Sequence, residues 1–186
     1  MKKSDQTRIS LALSLEKLME HSPLEKITIQ DISDQAGVSR QTFYRLFTNK
    51  YALIEWYLEY LILRIYEQLG ITRDFQSCVE EMLLVIDDKL PFFTDLFKDN
   101  NIEKLTDGYV DAIVRFFINY LRIHKPQTMS DPEIASLFEI YCKGSVNAII
   151  LNALHHTPNN IKKWSVLFVN ALPNKIYLAF KELHLV

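Results

Sequence analysis

The chain has 186 residues, 48% hydrophobic and 24% charged, with a formal net charge of −2. Such a composition belongs to a globular chain that buries a sizeable core, and it excludes a disordered one. Only four glycines and six prolines punctuate it, which favours long helices over many strands, and the slightly acidic balance excludes a uniformly basic nucleic-acid binder.

The first helix is predicted from about Asp5 to Glu20, with Ile9, Ala12, Leu15 and Met19 on one stripe, widened by Leu11 and Leu18. His21-Ser22-Pro23 stops it. Thr28 is a good N-cap for a second, short helix, with Asp31 three residues on as a weaker capping-box acid. Ile29, Ile32 and Ala36 form its buried stripe. Gly37 can take a left-handed conformation and redirect the chain. Ser39 then caps a third helix. There Phe43 and Phe47 sit one turn apart and point inward, leaving Arg40, Gln41, Thr42, Tyr44 and Arg45 outside. That set of donors suits a DNA major groove. The rival reading, a helical hairpin with a solvated polar face, explains the glycine, the serine and the inward pair less well. Asn49 caps a fourth helix that runs to Gly70 and is long enough to bridge a head and a body.

The rest reads as all helix. Phe75 to Leu90 is amphipathic, with Val79, Met82, Leu83 and Ile86 inward. Pro91 separates it from a short Phe92 to Phe97 segment. A long apolar helix follows from Ile102 to His124. Ser130-Asp131-Pro132-Glu133 starts another that continues to about His156. The final helix opens near Asn159-Asn160 and runs towards Phe180, with Pro173 expected to bend or break it. Cys78 and Cys142 show no ligand spacing and read as buried thiols of a reducing cytoplasm. No signal-peptide core is expected. The longest apolar runs are interrupted by Glu, Arg, Lys or Asn, so neither a spanning segment nor a membrane partner is expected.

Ile27-Thr28-Ile29, Ala36-Gly37-Val38-Ser39, Thr42-Phe43-Tyr44 and Phe47 followed by Asn49-Lys50 are spaced as in one family. From about Thr7 to Tyr60 the chain resembles the DNA-binding domain of TetR-family transcriptional regulators. Ser33 stands where many such units place Ala, and Tyr51 where the family more often has an acid. The resemblance implies an all-α fold: a three-helix helix-turn-helix domain over 1–50, then a helical regulatory and dimerisation domain over 51–186. It also implies that Thr28, Tyr44 and Lys50 touch the DNA backbone. Ser39 at the start of the third helix is a further expected DNA contact, Arg40, Gln41 and Thr42 just behind it are the expected base readers, and Arg45 reaches a base or a phosphate. The charge distribution agrees. Met1 to Tyr51 holds eight basic and six acidic residues, so a weakly basic head sits on an acidic body.

One head recognises too little sequence, so the expected partner is a double-stranded palindromic operator read by a homodimer, its heads roughly 34–36 Å apart. The expected interface comprises Ile149, Ile150 and Leu154 on the helix from Glu133, and Trp164, Leu167, Phe168 and Ala171 on the last. These faces fill the protomer's own core in the alternative reading. In TetR relatives the two helices usually form a four-helix bundle with their copies. The resemblance further implies an apolar or aromatic small-molecule ligand, with Phe93, Phe97, Tyr109, Phe116, Phe117, Tyr120, Phe138 and Tyr141 as candidate lining; the same stripe could simply be core. A protein co-regulator is the other expected input, with the fourth helix as lever. Repression by promoter occlusion is the commonest outcome in relatives. The short body, with Tyr141, Gly144 and a following apolar run, resembles the branch containing activators of dihydroxyacetone kinase operons, which leaves activation open. His124 with His155-His156 lacks the spacing of a metal sensor. No cofactor is expected. No phosphate loop, nucleophile elbow or metal-binding helix pair points to an enzyme. The rival function is a helical adaptor that acts through its C-terminal helices without reading DNA.

Overall fold

The computed structural model describes residues 3–99, 101–155 and 160–186, and among them the regular structure is helical throughout. Ten α-helices follow one another: α1 Lys3–Met19, α2 Ile29–Gln35, α3 Arg40–Leu46, α4 Lys50–Tyr66, α5 Phe75–Asp88, α6 Leu90–Phe97, α7 Ile102–His124, α8 Glu133–Leu154, α9 Ile161–Asn170 and α10 Asn174–Glu182. Short 3-10 turns at Leu24–Lys26 and Pro126–Ser130 complete the path.

Local chemistry explains most boundaries. Asp74 caps α5 by accepting the Ser77 amide at 2.7 Å, and Asn160 caps α9 by accepting that of Lys163 at 3.0 Å. The fourth helix ends at Tyr66 rather than Gly70. The Gln68 carbonyl accepts from Ile71, Thr72 and Arg73, and Gly70 takes φ +72°, so the chain folds back there. A side chain at Gly70 would displace the Tyr120 hydroxyl, and the positive φ is what makes this turn need glycine. The expected last helix is two helices. Pro173 has no amide to continue α9 and begins α10 instead. His156 and Asn159, expected at neighbouring helix ends, lie outside the described residues.

The head packs α1 against α2 and α4. In the body α4 packs on α7, α5 on α9, and α7 on α8. Phe75, Phe117, Phe138 and Phe180 are fully buried and form the body's aromatic centre; Phe117 stacks on Phe138 at 5.2 Å and Phe75 meets Phe180 at 5.3 Å. The C-terminal segment closes over it, because Leu185 is wholly buried and its carbonyl accepts the Phe75 amide at 2.7 Å. Burial pushes the Cys78 thiol up to about 11 and the Cys142 thiol to about 12, so both are inert core groups. Where the sequence reading expected no such segment, α8 is long and apolar enough to cross a membrane by length and composition. Its scattered polar residues, Glu139, Lys143 and Asn147, dilute it too little to change that. Much of its surface is left uncovered by the protomer.

Candidate nucleic-acid interface

The two short helices are held by their caps. The Thr28 hydroxyl accepts the Asp31 amide at 3.2 Å while the Asp31 carboxylate accepts the Thr28 amide at 2.8 Å, so the capping box is complete. The Thr28 hydroxyl also donates to the Asp31 carboxylate at 2.7 Å, and this bond, with that from the Thr28 amide, holds the Asp31 carboxyl below its ordinary range. Gly37 takes φ +67° with nothing near its missing side chain, so the turn needs glycine for its backbone alone. Ser33 is fully buried where the helices approach, and its hydroxyl donates to the Ile29 carbonyl at 2.7 Å, which satisfies the extra polar atom without a partner across the contact. The Ser39 hydroxyl accepts the Thr42 amide at 3.1 Å and opens α3.

Phe43 is completely buried and Phe47 nearly so, their rings 5.9 Å apart, and Phe47 continues to Trp56 of α4 at 5.8 Å. The Arg8 guanidinium lies 5.9 Å from both the Phe47 and Trp56 rings and ties α1 to this seam. With that side of α3 spent on packing, Arg40, Gln41, Tyr44 and Arg45 face solvent together, and Thr42 is half-buried beside Ser39. Arg40 rests over the Tyr44 ring at 5.9 Å, and Tyr44 is 49% exposed, unusual for so large a side chain without a covering partner. Thr28 is exposed at the start of α2.

Lys50 is placed differently from these. Its ammonium donates to the Leu24, Glu25 and Ile27 carbonyls at 2.6, 3.3 and 2.9 Å. Desolvation lowers its pKa, partly offset by the charges of Asp99 and Glu25. The turn that precedes α2 is therefore gripped from α4. It is also gripped from the body, since the Leu24 amide donates to the Asp95 carboxylate of α6 at 2.6 Å. Three further bonds cross the same seam. Glu16 of α1 accepts from Lys89 and from Tyr57, each at 2.6 Å, and Tyr51 donates to Asp99 at 3.3 Å. Sequence reasoning missed these links, because partners 71 and 73 positions apart leave no local signal.

The aromatic residues expected to line one ligand site are divided. Phe93, Phe97 and Tyr109 border a narrow void of about 40 Å³ between α4, α5, α6, α7 and α8. Tyr109, Phe117 and Tyr141 border a second of about 30 Å³ towards α5 and α9. Phe116 and Tyr120 line neither and pack along α7 towards Tyr66 and His124. Phe138 belongs to the solid aromatic core. Among the described residues no group of His, Cys, Asp or Glu is placed to hold a metal ion.

The expected dimer residues also divide. Ile149 and Phe168 are 7% and 6% exposed and turn into the protomer, where both border the second void. Ile150, Leu154 and Trp164 are half-covered. Leu167 and Ala171 are exposed and, with Ile140, Gly144 and Ala148, line an open apolar groove between α8 and α9. Ile140, at 70% exposed, is the most open large apolar side chain of that groove. The apolar face left uncovered is thus rotated from the expected one, because α8 spends the Ile149 side of its stripe on its own neighbours.

Residues 15–56 match the family of bacterial regulatory proteins, tetR family. The chain is similar to the HTH-type dhaKLM operon transcriptional activator DhaS of Lactococcus lactis subsp. lactis, 31% identical over 107 residues, which is 55% of this chain and 56% of that protein. The matched stretch thus spans little more than half of that relative. Among solved structures it is similar to a dihydroxyacetone kinase operon activator, DhaS, with a TM-score of 0.61, 19% identity and 96% of each chain covered. It is also similar to a TetR transcriptional regulator from Streptococcus agalactiae, with a TM-score of 0.60, 16% identity, and 92% of this chain and 96% of that one covered. Residues 15–56 therefore match the tetR-family model, and the fold of the chain is similar to the folds of regulators of that family.

Proposed function

We propose that the chain is a cytoplasmic transcriptional regulator that binds a palindromic DNA operator as a homodimer and acts by binding rather than by catalysis. One observation carries the reading: Arg40, Gln41, Tyr44 and Arg45 stand free on one face of a helix whose opposite face is locked by Phe43 and Phe47. The segment over 1–50 is the reading head and that over 51–186 the receiving body. Arg40 presents a fork of two donors and Gln41 a paired donor and acceptor to base edges, while Thr28, Tyr44 and Arg45 meet phosphate. Lys50 sets the orientation of α2 instead of reaching the backbone. The second head comes from a copy joined through the α8–α9 groove, where Ile140 and Leu167 supply apolar area with no cover in one protomer.

The body's voids are the place for a small apolar ligand. One face of α6 carries Phe93, Leu96 and Phe97 into a void while Asp95 holds the head, so α6 passes a change in the body to the head alongside α4. The similar DhaS proteins are activators by name, and activation of a neighbouring operon fits the same machinery as well as repression does. The test is operator selection from random duplexes, followed by gel-shift titration of Arg40→Ala and Gln41→Ala. Each should cost about 1–3 kcal/mol on the selected site and little on random DNA. Equal retention of both variants on the selected site would leave the helical-adaptor reading.

A further inference from the structure

α6 lies between the two halves of the chain and is fixed in the body, where Phe93 and Leu96 are buried and the helix packs on α8. Three side chains along it reach the other way, each to a different element of the head. Lys89, at its start, donates to Glu16 of α1 at 2.6 Å. Asp95 accepts the Leu24 amide, in the turn before α2, at 2.6 Å. Asp99, two residues past its end, accepts the Tyr51 hydroxyl of the first turn of α4 at 3.3 Å.

These are not loose surface pairs. The Lys89 and Glu16 side chains are each 18% exposed, so salt screens them little, and Glu16 takes a second bond from Tyr57 of α4 at 2.6 Å. The Tyr57 ring meets Phe92 of α6 edge-on at 6.0 Å, which adds an apolar contact to the junction. The head moves as one piece, because α1 packs on α2 and α4, and α2 on α3. A rigid piece held at one point still swings, and held at two it still turns about the line between them. Held through α1, the turn and α4 together, this one keeps no free axis.

We propose that α6 clamps the reading head in one orientation, and that the clamp makes the spacing of the operator half-sites a condition of binding beside their sequence. Lys89, Asp95 and Asp99 are its positioning residues. The clamp sets a spacing only where two heads read one duplex, so it rests on the proposed function. One inserted base pair moves a half-site by about 3.4 Å along the duplex and turns it by about 35°. A head carried on α4 alone follows that displacement. A clamped head gives up base contacts instead, each a factor of about ten or more in affinity.

Operators are selected from random duplexes, rebuilt with one base pair added or removed between the half-sites, and titrated by gel shift against the full-length protein. The parent chain should lose at least about thirtyfold on either altered spacer. The triple variant Lys89→Met, Asp95→Ala and Tyr51→Phe should lose less than about fivefold, with its preference within each half-site unchanged. Lys89→Arg keeps the bond to Glu16 and should stay strict. If the triple variant melts early, Tyr51→Phe and Asp95→Ala made singly carry the test, each relaxing the spacer penalty in part. Without DNA, spin labels at Gln35→Cys on the head and Ser136→Cys on the body, both exposed sites, are read in protomers diluted with unlabelled chain. They should give one narrow distance in the parent and a broad one in the variant. A parent that tolerates both spacers, a variant as strict as the parent, or equally narrow distances in both would each overturn the clamp. If no operator emerges from the selection, the proposed function fails and the spacing claim with it, while the spin-label distances still decide the clamp.

Discussion

Lys50 separates two kinds of contribution that a basic residue beside a DNA-reading helix can make. Its ammonium holds three carbonyls of the turn before α2, two of them at 2.6 and 2.9 Å. A hydrogen bond to a charged group contributes about 1.5–3 kcal/mol, but one ammonium shared among three acceptors does not count three times. It is also partly solvated and bears a desolvation cost, seen in its lowered pKa. The net loss on Lys50→Met, which keeps most of the apolar stem, is therefore about 2 kcal/mol. For a chain of this size that is a fall in Tm of about 4–8 °C. A phosphate contact makes a different prediction: unchanged Tm, and a salt slope of operator binding shallower by about 0.9 per head. Calorimetric melting and a salt-titrated anisotropy series on the same variant decide between them. Unchanged melting together with the shallower slope would refute the structural role of Lys50.

The rotated apolar face predicts opposite results at adjacent residues. Leu167→Glu should give folded monomers by light scattering, because this side chain is 49% exposed in the protomer, and a persistent dimer would discard the α8–α9 groove as the interface. Phe168→Glu should instead lose about 3 kcal/mol or more of fold stability, since it puts a charge in the core. The capping box predicts a pH effect of definite sign. Asp31 titrates below its ordinary value, so its stabilisation is complete above that value and is lost as pH falls through the lowered one. Asp31→Asn should flatten the acid limb of the stability curve, and an acid limb identical to that of the parent chain would remove the carboxylate from the account.

The sequence alone determined the helices, their caps and the polar face of α3. These depend on contacts within one or two turns: Thr28 with Asp31, Ser39 with Thr42, Phe43 with Phe47, and the positive φ of Gly37 between α2 and α3. Only the tertiary structure decided which neighbour covers each apolar stripe. The stripe of α8 is wide enough to serve both the protomer and a partner, and periodicity does not say which edge is used, so Ile149 went inward and Ile140 stayed open. It likewise decided that Phe138 is core, that Tyr109 divides two voids, and that Lys50 bonds carbonyls rather than solvent. A long flexible side chain, or a helix face with two possible partners, takes its role from residues distant in the chain, and no local pattern records them.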